Sequence, residues 1–271
     1  MSCREMLKLR KRIVVKVGTT TLTHSTGLLN LKRIERLSWV LTDLFHQGKE
    51  IILVSSGAIA VGTNRLKLDE RPKDTSGKQA ASAVGQAVLM QIYNNFFNQY
   101  NQQAAQILLT RDVLEDGERK GYARNTFFKL LSMGVIPIVN ANDTVSTDEL
   151  GFSDNDTLSA YVARLTDSDL LIMLSDIEGL YDSNPKSNPE AKLISEVGEI
   201  TSDLESMAGV SSTQFGTGGM ITKLTAVKIA HGFGIDAVIA SGDEPSLLFD
   251  ILDGAPVGTL FAAPTAHGGQ A

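Results

Sequence analysis

The chain of 271 residues carries 25 basic against 31 acidic side chains, a formal net charge of −6, and its pI lies near 5.3. That balance excludes a protein built around a nucleic-acid partner, whose mark is a basic footprint. At 42% hydrophobic and 21% charged, the composition supplies ample material for a globular core. The single cysteine, Cys3, excludes an internal disulfide or a cysteine zinc cluster and fits a reducing compartment. Four scattered histidines contain no His-Glu-x-x-His pair, so a zinc hydrolase has no footing. The basic start, Arg4 to Arg12, runs into only Ile13-Val14-Val15 before Lys16 interrupts, far short of a signal peptide's apolar stretch. No apolar run approaches the roughly 18 residues of a spanning helix. The expectation is a cytoplasmic protein with neither a membrane nor a nucleic-acid partner.

In chain order, residues 12–17, 50–54, 106–109, 135–139, 169–174 and 236–240 are short runs rich in Val, Ile and Leu without strict alternation. Such runs suit strands buried on both faces of a parallel sheet. Helical patterns fall between them. Ile34, Leu37, Leu41, Leu44 and Phe45 repeat at helical spacing between a cap at Asn30 and a stop at Gly48. Ser76 and Gln79 have capping-box spacing ahead of a long helix whose face is marked by Val84, Val88, Ile92 and Phe96. Leu158, Tyr161, Val162 and Leu165 mark another helix, and Leu224, Val227 and Ala230 a fourth. Strand alternating with helix predicts an α/β protein, a three-layer sandwich with a central, mostly parallel sheet between helices. Residues 1–262 read as one domain of two lobes with a seam near 166–169. Residues 182–192, with two Asn-Pro pairs, form a candidate flap. The small, polar residues 263–271 read as a disordered tail.

Four places along this pattern could carry chemistry. Lys16 ends the first strand ahead of Gly18 and three threonines, at the opening where α/β sheets bind ligands; the bland alternative is a surface lysine. The second strand runs into Ser55-Ser56-Gly57-Ala58, which repeats the arrangement. Two such openings side by side make a cleft with N–H donors on both walls. The long polar segment holds Asn140, Asn142 and Asp143 and then Asp154, Asn155 and Asp156. These groups could hold a zwitterion, carboxylates facing its ammonium and amides its carboxylate. A calcium loop is rejected because Leu158 and Ser159 stand where an oxygen ligand and a glycine are required. Asp154 alone could be a helix cap. Finally, Gly216 to Lys223 is a glycine-rich loop opening a helix, suited to phosphate oxygens, though neither a Walker A loop nor a dinucleotide fingerprint.

In order along the chain, the stretches 14–19, 54–60, 108–111, 136–143, 154–156, 175–181 and 216–223 resemble the amino-acid kinase family, and within it the enzymes that act on free glutamate. The resemblance implies ATP-dependent phosphorylation of the side-chain carboxylate of L-glutamate to L-glutamyl 5-phosphate, the first step of proline biosynthesis. By position, Lys16 and Lys223 would neutralise phosphate, with Asp156 holding them. Ser56, Asp143 and Asn155 would bind glutamate. Lys16, Ser175, Asp176, Thr217, Gly218, Gly219, Met220, Ile221, Thr222 and Lys223 would bind ATP, although Met220 and Leu224 also read as core contacts. Residues 1–166 would form the substrate lobe and 167–262 the nucleotide lobe. ATP would be a co-substrate with Mg²⁺ on its phosphates and no metal held by the protein itself. A homo-oligomer and a functional coupling to glutamyl phosphate reductase are implied as well. Many bacterial relatives continue into a C-terminal RNA-binding-type module, which this sequence does not contain. Within the family, acetylglutamate or aspartate would be the alternative acceptors. A non-catalytic nucleotide or amino-acid sensor on the same fold is the alternative of another class, which would be expected to have lost one of Lys16, Asp156 and Lys223.

The chemistry suits those residues. A free glutamate side chain titrates near 4.3 and is an ionised nucleophile at neutral pH, so no general base is needed. The difficulty is bringing a carboxylate to a polyphosphate of the same sign, which positioning and charge neutralisation solve.

Overall fold

Along Arg12–Val17 (β1) the side chains alternate between two cores: Ile13, Val15 and Val17 enter one and Val14 the other, while Lys16 shares the face of Val14. The same alternation recurs in Glu50–Ser55 (β2), Leu170–Ser175 (β5) and Asp236–Ser241 (β7). Strands with both faces buried need helices on both sides, and the chain supplies them. The computed structural model describes residues 2–24, 26–145, 154–185, 187–202, 204–205 and 219–264. With Gln103–Leu109 (β3), Val135–Ala141 (β4), Glu196–Val197 (β6) and Thr259–Phe261 (β8), the strands form one sheet in the order β3-β4-β2-β1-β5-β7-β8-β6. Its pairings are parallel except β7 with β8. The helices Leu31–His46 and Thr75–Gln99 cover one face, and Asn155–Leu165 and Met220–His231 the other. This is the expected α/β sandwich.

Each of the six expected strands forms, with small shifts at the ends. β5 starts at Leu170 because the Asp169 carboxylate accepts the backbone N–H groups of Lys11 and Arg12, each at 2.8 Å. The edge strand β6 and its neighbour β8, of two and three residues, are too short to show a period and were not expected from the sequence. Asn30 does cap its helix, its side chain accepting from Arg33 N–H at 3.1 Å, and Gly48 lies just past the helix end with φ +89°.

The long helix departs from expectation twice. Its N-cap is Asp74, whose Oδ1 accepts from Gly77 N–H and from Ser76 Oγ, both at 2.7 Å, so Ser76 is a partner of the cap and Gln79 closes no box. A carboxylate is the stronger acceptor at the positive end of a helix. Its buried face is Ala81, Ser82, Gly85, Gln86, Leu89, Met90, Tyr93 and Phe97, whereas Val84, Val88, Ile92 and Phe96 flank it, partly exposed. The true face contains small and polar residues because a second helix, Ala58–Arg65, crosses it in backbone contact. A Cβ on Gly85 would lie 1.8 Å from the Ala58 carbonyl oxygen, and one on Gly62 1.7 Å from that of Ala81.

The candidate flap is closed at its neck by a bridge between Tyr181 and Leu193, with Asp182 N–H donating to Lys192 O at 3.0 Å. Of the expected tail, Ala263 is tied by its N–H to Asp236 Oδ1 at 2.9 Å, and residues 265–271 lie outside the described residues. Among the described residues, no helix is long and apolar enough to cross a membrane.

Candidate active site

The strand order places β1 at the centre, with the chain turning to β2 on one side and to β5 on the other. The crevice outside the carboxyl ends at such a reversal is where open α/β sheets take ligands. Lys16 and Val17 end β1 there, in register with Val54 and Ser55 of β2 and with Met173 and Leu174 of β5. Gly18 follows, and a side chain at that position would begin 3.7 Å from the Lys16 Nζ.

Because Lys16 lies on the face of Val14, it points toward the helices Asn155–Leu165 and Met220–His231. It is only 6% exposed, which removes the surface-lysine alternative. Its Nζ sits 2.5 Å from Asp156 Oδ1, and Lys223 Nζ sits 3.2 Å from Asp156 Oδ2. One fully buried carboxylate thus holds two buried ammonium groups, one on each oxygen. The Thr222 hydroxyl lies 2.8 Å from both Asp156 Oδ2 and the Gly219 carbonyl oxygen, tying the start of its helix to the same carboxylate. Burial by itself would push the Asp156 carboxyl up; Lys16 and Lys223 overcome it and hold the group below the usual carboxylate range. Asp154 caps the helix through Asp156 N–H at 3.1 Å, and its other oxygen is buried without a hydrogen-bond partner among the described residues. Burial and the adjacent Asp156 charge push the Asp154 carboxyl up.

Asn155, one residue earlier, turns to a different set of partners. Its Nδ2 donates to Ser56 Oγ at 2.8 Å and to Asn140 Oδ1 at 2.9 Å. Ser56 follows β2, where Gly57 takes the left-handed turn, φ +105°, into the next helix. Asn140 donates in turn to Gln86 Oε1 at 2.9 Å. Asp143, just past β4, accepts from Ser82 Oγ at 2.9 Å. Ser82 and Gln86 are four residues apart and share one face of the long helix, so one helix face braces both Asn140 and Asp143. The structure therefore brings Ser56, Asn155 and Asp143 to one region beside the Lys16–Asp156–Lys223 cluster.

Ser175 ends β5 with its hydroxyl donating to Asp176 Oδ1 at 3.0 Å, and its carbonyl oxygen accepts from Gly242 N–H at 2.6 Å. Gly219 is the N-cap of the helix Met220–His231, with Met220 and Leu224 buried in the core and Ile221 53% exposed. Thr217 and Gly218 lie outside the described residues. Ser82 and Gln86 were missed in the sequence. Polar residues at i and i+4 inside an apolar helical pattern were the available signal, hidden because the stripe was read one residue away.

The chain matches the model of the amino acid kinase family over residues 11–241. It is 53% identical to the glutamate 5-kinase of Clostridium perfringens over 96% of its own length and 98% of that protein's, and 51% identical to that of Listeria welshimeri over 96% and 95%. Among solved structures, carbamate kinase from Giardia lamblia bound to AMP-PNP superposes with a TM-score of 0.67 at 14% identity, covering 95% of this chain and all of that one; at that identity the likeness shows the fold. Matched by the family model over residues 11–241 and 53% and 51% identical to these two relatives over 96% of its length, this chain belongs to the amino acid kinase family.

Proposed function

We propose that the protein transfers the terminal phosphoryl group of ATP to the side-chain carboxylate of L-glutamate, giving ADP and L-glutamyl 5-phosphate, the first step of proline biosynthesis. The observation that carries the reading is the buried Lys16–Asp156–Lys223 cluster set beside Ser56, Asn155 and Asp143. A carboxylate oxygen of glutamate attacks the terminal phosphorus as the bond to the bridging oxygen of ADP breaks. The nucleophile is ionised already, so the site needs opposing charge and alignment rather than a base. Lys16 and Lys223 face the charge spread over the transferring group. Asp156 fixes both against their mutual repulsion.

Ser56, Asp143 and Asn155 hold glutamate, Asp143 facing its ammonium. Ser175, Asp176 and the loop from Thr217 to Lys223 hold ATP, so that residues 1–166 act as the substrate lobe and 167–262 as the nucleotide lobe. Mg²⁺ adds positive charge to the phosphates. The same reading places the protein in the cytoplasm as a homo-oligomer, passing its reactive acyl phosphate to a reductase.

The test is a hydroxylamine trap for acyl phosphate with ATP, Mg²⁺ and a panel of acids. Glutamate should give the trapped product, and acetylglutamate, aspartate and carbamate should not; acetylation, for one, removes the cation that Asp143 would meet. A stronger signal with another acid would overturn the substrate while leaving the family intact.

A further inference from the structure

The polar chain behind Asn155 has a direction. Ala141 N–H donates to Asn140 Oδ1 at 2.9 Å, and a backbone N–H can only donate, so that atom is an oxygen and the opposite atom of the amide is the nitrogen. Asn140 Nδ2 then needs an acceptor, which Gln86 Oε1 supplies at 2.9 Å. Asn140 Oδ1 also receives Asn155 Nδ2, so the Asn155 amide has its orientation set in turn. Gln86, Asn140 and Asn155 are 8%, 3% and 8% exposed, so none of these amides has water as an easy substitute.

Two consequences follow at the end of the chain. Asn155 Nδ2 is engaged with Asn140 and Ser56, whereas Asn155 Oδ1 is buried with no partner among the described residues. Its free valence is an acceptor, which suits an ammonium and reverses the expectation that the amides face the substrate carboxylate. Ser56 Oγ already accepts from Asn155, so its hydroxyl hydrogen is available to an anionic oxygen.

We infer that Gln86, which the proposed reaction does not otherwise use, is a positioning residue that sets this polarity through Asn140. It would thereby make the site select an α-ammonium group on the dicarboxylic acid. The inference rests on the glutamate-kinase reading of the site. Without the Gln86 acceptor, Asn140 Nδ2 is a buried donor with no partner. It gains by rotating away, and Asn155 then loses the oxygen that orients it.

The experiment compares L-glutamate with glutarate, the same acid without the ammonium, measured as KM for glutamate and as competitive Ki for glutarate. In Gln86→Met or Gln86→Leu, KM for glutamate should rise about tenfold, the scale of losing one well-placed bond to a charged group. The Ki for glutarate should shift much less, with KM for ATP unchanged. Gln86→Glu keeps an acceptor for Asn140 and should restore the preference for glutamate over glutarate. Equal weakening of both acids, or no change in a variant with the wild-type unfolding temperature, overturns the inference. Hydrogen exchange of the Asn140 side-chain NH₂ in the wild-type protein needs no variant: protection is expected, and free exchange overturns the inference too. A wild-type protein that fails to phosphorylate glutamate would overturn the functional reading itself, and the two failures are thus distinguishable.

Discussion

Asn155 and Asp156 are neighbours on one helix turn, yet they anchor two clusters held by different physics. Asp156 joins Lys16 and Lys223 through charge, at 2.5 and 3.2 Å. Asn155 joins Ser56 and Asn140 through neutral hydrogen bonds, at 2.8 and 2.9 Å. Coulomb attraction depends mainly on how many charges are present and how well they are desolvated. A chain of amides depends on which atom is nitrogen and which is oxygen. The charged side should therefore answer to the removal of a charge and the neutral side to the reversal of a dipole. That division matches the two tasks of the proposed reaction, stabilising a transferring phosphoryl group and recognising an amino acid.

The largest expected effect lies on the charged side. Lys16→Ala should lower kcat by about 10²–10³, the usual loss for one electrostatic contact made in the transition state, with a smaller change in KM for glutamate. Steady-state kinetics checks it, and near-normal turnover would leave the cluster a structural ion pair. At the amino-acid end of the cleft, Asp143→Ala should raise KM for glutamate roughly ten- to a hundredfold through loss of one charge-assisted bond while sparing ATP. If ATP weakens and glutamate does not, the two ends of the cleft have been exchanged. Asn155→Asp is the direct test of polarity. It places a carboxylate oxygen where Asn155 Nδ2 now meets Asn140 Oδ1 at 2.9 Å, and binding of glutamate should fall although a negative charge has been added. Tighter binding would show that charge outweighs direction here as well.

Smaller effects concern stability. Gly85→Ala forces a methyl against the Ala58 carbonyl oxygen and displaces the helix that carries Ser82 and Gln86. Overpacking of this kind costs about 1–3 kcal/mol, to be read from denaturant unfolding. The pH-dependent effects are of opposite sign in Asp156 and Asp154. The Asp156 carboxyl is held low, so its contribution is present above the unfolded carboxylate range and is lost as pH falls through its lower folded value. Asp156→Asn should thus be less stable than wild type at neutral pH, with the difference narrowing in acid. The Asp154 carboxyl is pushed up, so its ionisation costs stability as pH rises through its folded value. Asp154→Asn, which keeps the capping oxygen, should raise the unfolding temperature at neutral pH and lose that advantage in acid. Unfolding temperatures across pH 3–8, roughly the span around the carboxylate values, check both.

Much of this was legible in the sequence, and what was hidden is instructive. The β1 run Arg12–Val17 shows itself by unbroken branched residues, because a strand buried on both faces leaves its mark in every side chain. Lys16 stood out as the one charge at the end of that run. Asp156 and Lys223 could be connected to it by family resemblance, but their contact could not be read from spacing, since 67 residues separate them. The Thr75–Gln99 helix was placed correctly and its face was not. Hydrophobic periodicity counts valines, while the buried face is selected by a backbone crossing at Gly85 and by the polar partners of Ser82 and Gln86.

The sequence by itself determined six of the eight strands, the alternation of strand and helix along the chain and the kinds of residue brought to the strand ends, since these follow from local burial patterns and turn chemistry. Only the tertiary structure decided which carboxylate oxygen each lysine takes and which way each amide points. Those depend on distances and donor directions between segments far apart in the chain, and no local pattern encodes them. The direction of the amide chain originates at one backbone N–H, Ala141, to which composition and periodicity are blind.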